Sequence, residues 1–205
     1  MYWYLVMHKD FGAVRGDIAA LKGRRIGAAP WVELGLRGIL DAVGIDPKAV
    51  GTEIGPVPKM PGVGPNFGVS AFKALQTRQI DGFWANGMAA ELAVRHGVGT
   101  VVLDVRRGDG PAGCFGYTFA SVAASDAALA SRPTVGAAVK RAIGRAHDLL
   151  RKDIGLAMKI GSRLFPTEEA SLIESLIARD LPWYETEIHI GDFAAINSVL
   201  DKLGC

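Results

Sequence analysis

Ser70–Gly97, SAFKALQTRQIDGFWANGMAAELAVRHG, reads as helix, strand, tight turn and helix. Ser70 is a candidate cap for a short helix whose apolar side is Phe72, Leu75 and the alanines, since a hydroxyl can satisfy a free N–H of the first turn. Gln79–Phe83 then switches to an apolar run without helical period, which suits a buried parallel strand. Ala85-Asn86-Gly87 breaks that run, and a second helix over Met88–His96 is stopped by Gly97. Thr100–Val105 follows as another strand. This is βαβ order, and open α/β sheets hold ligands beyond the carboxyl ends of their strands. The turn Trp84–Gly87 is therefore the first expected binding element.

Working outward towards the start, Tyr2–Met7 (YWYLVM) is aromatic and aliphatic without polar alternation, so it reads as a buried strand. Asp17–Lys22 is a short linking helix at most, and Arg24–Ala28 is a strand. Pro30-Trp31 is expected to open a helix reaching Val43, with proline in the first turn and Gly44 after the last. Ile45-Asp46-Pro47 is a turn, and Gly51–Gly55 a weak strand. Pro56–Gly68 (PVPKMPGVGPNFG) is the richest Pro/Gly loop in the chain, either a functional rim or a loose connection. Residues 24–105 thus spell one Rossmann-like βα lobe.

Past Asp104 the character changes. Arg106–Gly113 is a polar glycine loop, and Cys114–Phe119 a short aromatic strand. The rest is nearly all helical. Helices are expected over Pro133–Lys152, Ile154–Leu164, Pro166–Arg179 and Phe193–Leu203, the first marked by Val135, Val139, Ile143, Ala146 and Leu150 at three- and four-residue steps. No repeat period emerges.

Composition narrows the function classes. The 205 residues are 49% hydrophobic and 21% charged, enough for a packed core in one or two domains. Twenty-three Lys and Arg against 21 Asp and Glu leave a net charge of +2 with the signs interspersed, which argues against a nucleic-acid or anionic-membrane surface. No apolar run approaches the ~18 residues of a membrane span. Met1–Met7 is apolar but lacks the basic flank of a secretory signal. Cys114 and Cys205 make neither a disulfide framework nor a metal site.

Enzyme signatures are missing. His8, His96, His147 and His189 have no metal spacing, and Cys114 has no adjacent activating group. No G-x-G-x-x-G, Walker loop or G-x-S-x-G occurs. Glu33 and Glu91 are expected in first helical turns, where dipole compensation explains them. The residues left as binding candidates lie at strand-to-helix turns. Pro30-Trp31 and Trp84-Asn86-Gly87 place helix N-termini, with their free N–H groups, at one rim. Trp31 and Trp84 are either a flat contact for a planar or apolar ligand body or part of the lobe core. Asn86 could donate its amide to an oxyanion or only shape the turn. Asn66-Phe67 also stand before the helix expected near Ser70, at a third strand end, where loop scaffolding is the first reading and ligand contact the second.

In their order, these pieces resemble the periplasmic solute-binding proteins of ABC importers for sulfonates, taurine and nitrate, a group that also includes thiamine-pyrimidine binders. The resemblance is carried by LVMHKDF, LKGRRIGAAPWVELGLRGILDAVGID, ALQTRQIDGFWANGMAAELAVRHG and SRPTVGAAVKRAIGRAHDLL. Their shared pattern is KG-x-x-IG, a helix ending in GID, and AL-x-x-x-x-IDG. The resemblance implies a two-lobe α/β fold, the type II periplasmic-binding-protein architecture, with a small organic anion held between the lobes, no cofactor, no metal and no chemistry. It implies residues 1–19 as a crossing strand and linker, 20–105 as lobe two, and 106–205 as a return crossing and the helical remainder of lobe one. About a hundred residues of lobe one, and a leader, would then precede Met1. Arg106 and Arg107 would stand where the chain recrosses, either as solvated hinge charges, the first reading for each alone, or gripping an oxyanion with a guanidinium fork. Implied partners are the anion and the permease subunits, in a periplasmic or extracytoplasmic setting. A ligand-sensing effector module of the same fold, or a protein of pyrimidine-precursor biosynthesis, are the alternatives.

Overall fold

The computed structural model describes residues 3–63, 66–114 and 121–204, the side chain of Leu203 aside. The chain divides into two compact units, Met1–Phe119 with Ile190–Cys205, and Ala120–His189.

The first unit is built on a five-stranded sheet. Its strands are β1 (Tyr4–His8), β2 (Arg25–Ala28), β3 (Glu53–Gly55), β4 (Gly82–Ala85) and β5 (Gly99–Asp104), in the order β3-β2-β4-β1-β5. β2 runs parallel to β3 and to β4, pairing Ala28 with Trp84. β1 is antiparallel to both neighbours and stands between β4 and β5. The sheet is therefore mixed, where the βαβ grammar alone predicts parallel strands throughout. All five residues of β1 are buried, as expected of a strand with neighbours on both edges. Tyr2, where the sequence reading began this strand, lies outside the described residues.

Leu5, Val6, Met7, Phe83, Trp84 and Leu103 form the sheet's contribution to the core. Each such side chain contributes roughly 1.5–3 kcal/mol when fully buried. The packing is tight enough that a Cβ on Gly82 would stand 2.5 Å from Met7 Sδ and 2.8 Å from the Val6 carbonyl oxygen. Helices α1 (Glu33–Ala42), α2 (Phe67–Gln76) and α3 (Gly87–Arg95) follow β2, β3 and β4. α2 and α3 pack on each other, α2 against β4, and α3 against β1 and β5. α1 buries Leu36, Ile39 and Leu40.

Three element ends differ from the sequence reading, each for a local reason. α1 begins at Glu33 and not at Pro30, because Trp31 adopts φ +67°, a left-handed conformation that cannot sit inside a right-handed helix. α2 begins at Phe67, capped by Asn66, so Ser70 lies within its first turns and caps nothing. β4 starts at Gly82, the preceding residues being spent on closing α2: Arg78 takes φ +59° while Gln79 N–H reaches back to the Ala74 carbonyl. Glycine holds the corresponding place after α1 (Gly44) and α3 (Gly97). A non-glycine residue there gives up about 1–2 kcal/mol. Arg78 recovers part of this through an ion pair with Asp10 and a place over the Phe11 ring. Beside it, His8 closes β1 with Nδ1 accepting from Asp10 N–H at 3.2 Å. Burial, and then the neighbouring Arg78, hold its pKa below the usual histidine value.

The second unit is helical, with no strand among its described residues. α4 (Asp126–Ser131) is capped by Ser125, and α5 (Val135–Lys152), α6 (Gly155–Leu164) and α7 (Thr167–Asp180) follow. α6 and α7 meet at small residues, the Gly161 position being 3.5 Å from Ala170 Cβ. α5 is tied down by Lys140–Glu187 (2.6 Å) and by His147 against the Tyr184 ring. The chain then returns to the first unit as α8 (Ile190–Leu203), whose Lys202 reaches Asp41 of α1 at 3.9 Å. The short strand expected over Cys114–Phe119 lies outside the described residues from Phe115 on, as does Cys205. Cys114 itself is buried in a 3-10 turn, Ala112–Cys114.

Candidate functional site

Register brings several chain ends to one edge of the sheet. Tyr4, at the start of β1, faces Ala85 on one side and Asp104 on the other, and Ala28 faces Trp84. The turns that leave β2, β4 and β5 therefore all emerge along this edge. They carry Pro30-Trp31, Asn86-Gly87 and Arg106.

Two helix N-termini meet there. Asn86 caps α3, its Oδ1 accepting from Ala89 N–H at 3.3 Å. Asn66 caps α2, its Oδ1 accepting from Gly68 N–H at 3.0 Å and Val69 N–H at 3.3 Å, while its amide donates to Met88 Sδ at 3.1 Å. Gly68 lies at the point of closest approach. A Cβ there would be 2.7 Å from Asn86 Oδ1, 3.1 Å from Ala89 N and 3.4 Å from Asn66 Oδ1. Asn66, predicted from its place before a helix, and Asn86 and Gly87, predicted from the turn after β4, are thus brought together. The Asn86 amide nitrogen has no hydrogen-bond partner among the described residues.

The electrostatics of this junction are one-sided. A helix N-terminus carries roughly half a positive charge on its unsatisfied N–H groups. α1, α4, α7 and α8 each set an acidic residue in the first turn against it; α2 and α3, like α5 and α6 of the helical unit, have none. Glu91, expected in the first turn of α3, is its fifth residue and pairs with Arg95 at 3.5 Å. Two uncompensated positive ends therefore abut.

The aromatic candidates separate. Trp84 is fully buried, its Nε1–H donating to the Val32 carbonyl at 3.1 Å, so it holds the start of α1 onto β4 as part of the core. Trp31 is 79% exposed. Phe67 is half-buried, edge-on to Trp3 with ring centroids 6.5 Å apart. Pro30 is exposed in the turn. Arg106 follows β5 in a 3-10 turn, its Nη2 donating to the Tyr4 hydroxyl at 2.7 Å with the guanidinium 5.6 Å from the Tyr4 ring centre. Sequence reasoning missed Tyr4 and Gly68. Nothing local marks Tyr4, since only the sheet brings it to Arg106, whereas a glycine two places after a capping Asn is a visible sign of close approach.

Among the described residues no group of three or more His, Cys, Asp or Glu could hold a metal ion. None of the described helices is long and apolar enough to cross a membrane.

No family model and no curated protein matches the chain. Solved structures do. A protein from Bordetella bronchiseptica RB50 superposes with a TM-score of 0.61 at 17% identity, over 96% of this chain and 62% of its own length. A protein described as the periplasmic sulfonate-binding protein SsuA of a sulfonate ABC transporter, from Methylobacillus flagellatus KT, superposes with a TM-score of 0.50 at 17% identity, over 98% of this chain and 66% of its own. The chain spans less than two thirds of either structure. The likeness is one of fold, and the fold is the mixed α/β, periplasmic-binding-protein-like architecture.

Proposed function

We propose that the α/β unit binds a small organic anion of the sulfonate class and presents it to the membrane subunits of an ABC-type importer, making and breaking no bond. The observation that carries this reading is the meeting of two helix N-termini at Gly68 without an acidic residue in either first turn. Two like partial charges held together raise each other's energy, and an oxyanion seated beside them relieves both. Asn86 contributes an amide donor, and Arg106, held by Tyr4, a guanidinium at the same edge. The fold likeness to a protein described as sulfonate-binding agrees with this chemistry and suggests an extracytoplasmic setting. Taurine and nitrate are further members of the expected ligand range.

A thermal melt of the chain against sulfonates, taurine, nitrate and simple carboxylates tests the reading. A ligand at 100 times its Kd adds ~2.7 kcal/mol, which for a chain of this size is a rise of several degrees. A rise with one anion class, reduced by Arg106→Ala, supports the proposal. A melt that no anion moves at millimolar concentration refutes it.

A further inference from the structure

Twelve described residues have a clearly positive φ, and ten of them are glycines. The exceptions are Trp31 and Arg78. Arg78 is compensated inside the molecule through Asp10 and Phe11. Trp31 is not. Its carbonyl accepts from Leu34 N–H, but its side chain makes no hydrogen bond or ring contact with any described residue, and it is 79% exposed. The chain thus sets its most exposed indole on a backbone conformation that glycine would adopt at lower cost. It leaves that ring without a hydrogen-bond or ring partner among the described residues to offset the strain.

Strain kept at a position where glycine would be more stable points to a use for the side chain outside the fold. The position of Trp31 narrows that use. It lies in the turn leaving β2, which Trp84 ties to the end of β4 through the Val32 carbonyl, on the sheet edge that also carries Asn86 and Arg106. From this we infer that the bound anion carries a planar aromatic body, which stacks on Trp31 while its anionic group faces the α2 and α3 N-termini. The ligand class is then an aryl sulfonate or aryl carboxylate, not nitrate or a short alkyl sulfonate. A rigid indole gives such a ring a large contact face at little loss of side-chain freedom. This inference rests on the anion-binding reading above.

Calorimetric titration of the 205-residue chain with benzenesulfonate and methanesulfonate separates the two ideas. The parent is expected to prefer benzenesulfonate by roughly three- to tenfold, the range of an aromatic pair. Trp31→Ala and Trp31→Gly should abolish that ratio, and Trp31→Phe should keep most of it. Trp31→Gly should also melt above the parent, because it removes the strain along with the ring. Equal affinity of the parent for both anions overturns the aromatic inference and leaves the anion reading standing. A preference that survives Trp31→Ala does the same, and would assign the ring to a protein partner instead. Binding of neither anion overturns both.

Discussion

Replacing Gly68 by alanine tests the helix junction most directly. The new Cβ would lie 2.7 Å from Asn86 Oδ1 and 3.1 Å from Ala89 N, where ordinary contact begins near 3.4 Å. Relief needs a shift of about 0.7 Å at the oxygen and about 0.3 Å at the nitrogen. Neither atom is the loose end of a side chain. Asn86 Oδ1 is held by Ala89 N–H, and Ala89 N belongs to the first turn of α3. Opening the gap loosens the α3 cap, worth ~1 kcal/mol, and adds overpacking of about 1–3 kcal/mol. The better helix propensity of alanine returns at most ~1 kcal/mol. The expected net loss is ~1–3 kcal/mol, or about 2–12 °C at the 2–4 °C per kcal/mol typical of this chain length. Urea unfolding followed by tryptophan emission measures it, with Gly191→Ala as the control, since a Cβ at Gly191 meets nothing within 4 Å. The variant should also bind anions more weakly, because the two N-termini no longer share one point. A Gly68→Ala protein as stable as the parent would show that the helix ends are not tightly abutted and would remove the basis of the anion site.

Trp84→Ala should cost about 3–5 kcal/mol in urea unfolding, as for other large buried rings, and Trp84→Phe clearly less; an Ala variant of parental stability would place the indole outside the core. Asn86→Asp keeps an acceptor oxygen for Ala89 N–H, so its melting temperature should stay near the parent's, while a carboxylate in place of the amide should weaken anion binding by roughly tenfold or more. Titration calorimetry reads that loss, and unchanged affinity would exclude Asn86 from the site. His8 sets a pH dependence. With its folded pKa held below 6.5, the unfolded chain takes up a proton that the folded chain refuses, so stability is complete above about pH 6.5 and declines as the pH falls through the folded value. Melts between pH 5 and 8 should show this slope, His8→Gln should flatten it, and an equal slope in both proteins would assign it to other groups.

Much of the architecture was legible because the relevant signals are local. YLVM reads as a buried strand from its unbroken apolar run, and the glycines after α1 and α3 mark their ends. The direction and neighbours of β1 were not legible, since an all-apolar strand looks the same whether it is paired parallel or antiparallel. Ser70 and Asn66 are comparable capping residues, and the choice between them came from the tertiary approach of α2 to α3. Trp31 and Trp84 occupy equivalent-looking turns in the sequence. Their separation into an exposed strained ring and a buried hydrogen-bonded one depends on φ at Trp31 and on the Val32 carbonyl, neither of which leaves a mark in the residue types.

The central position of β1 has a consequence for how the chain is made. β5 joins the sheet only through β1, and the partners of Tyr4 lie about 80 and 100 residues further along, so the pairings that complete the sheet have a high contact order. At ~5–20 residues per second, a ribosome leaves YLVMH without its first neighbour for about 4–15 s. During that time an apolar strand with two open edges is free to pair with another nascent chain. The five residues that hold the sheet together are thus the ones that wait longest for their neighbours while the chain is made.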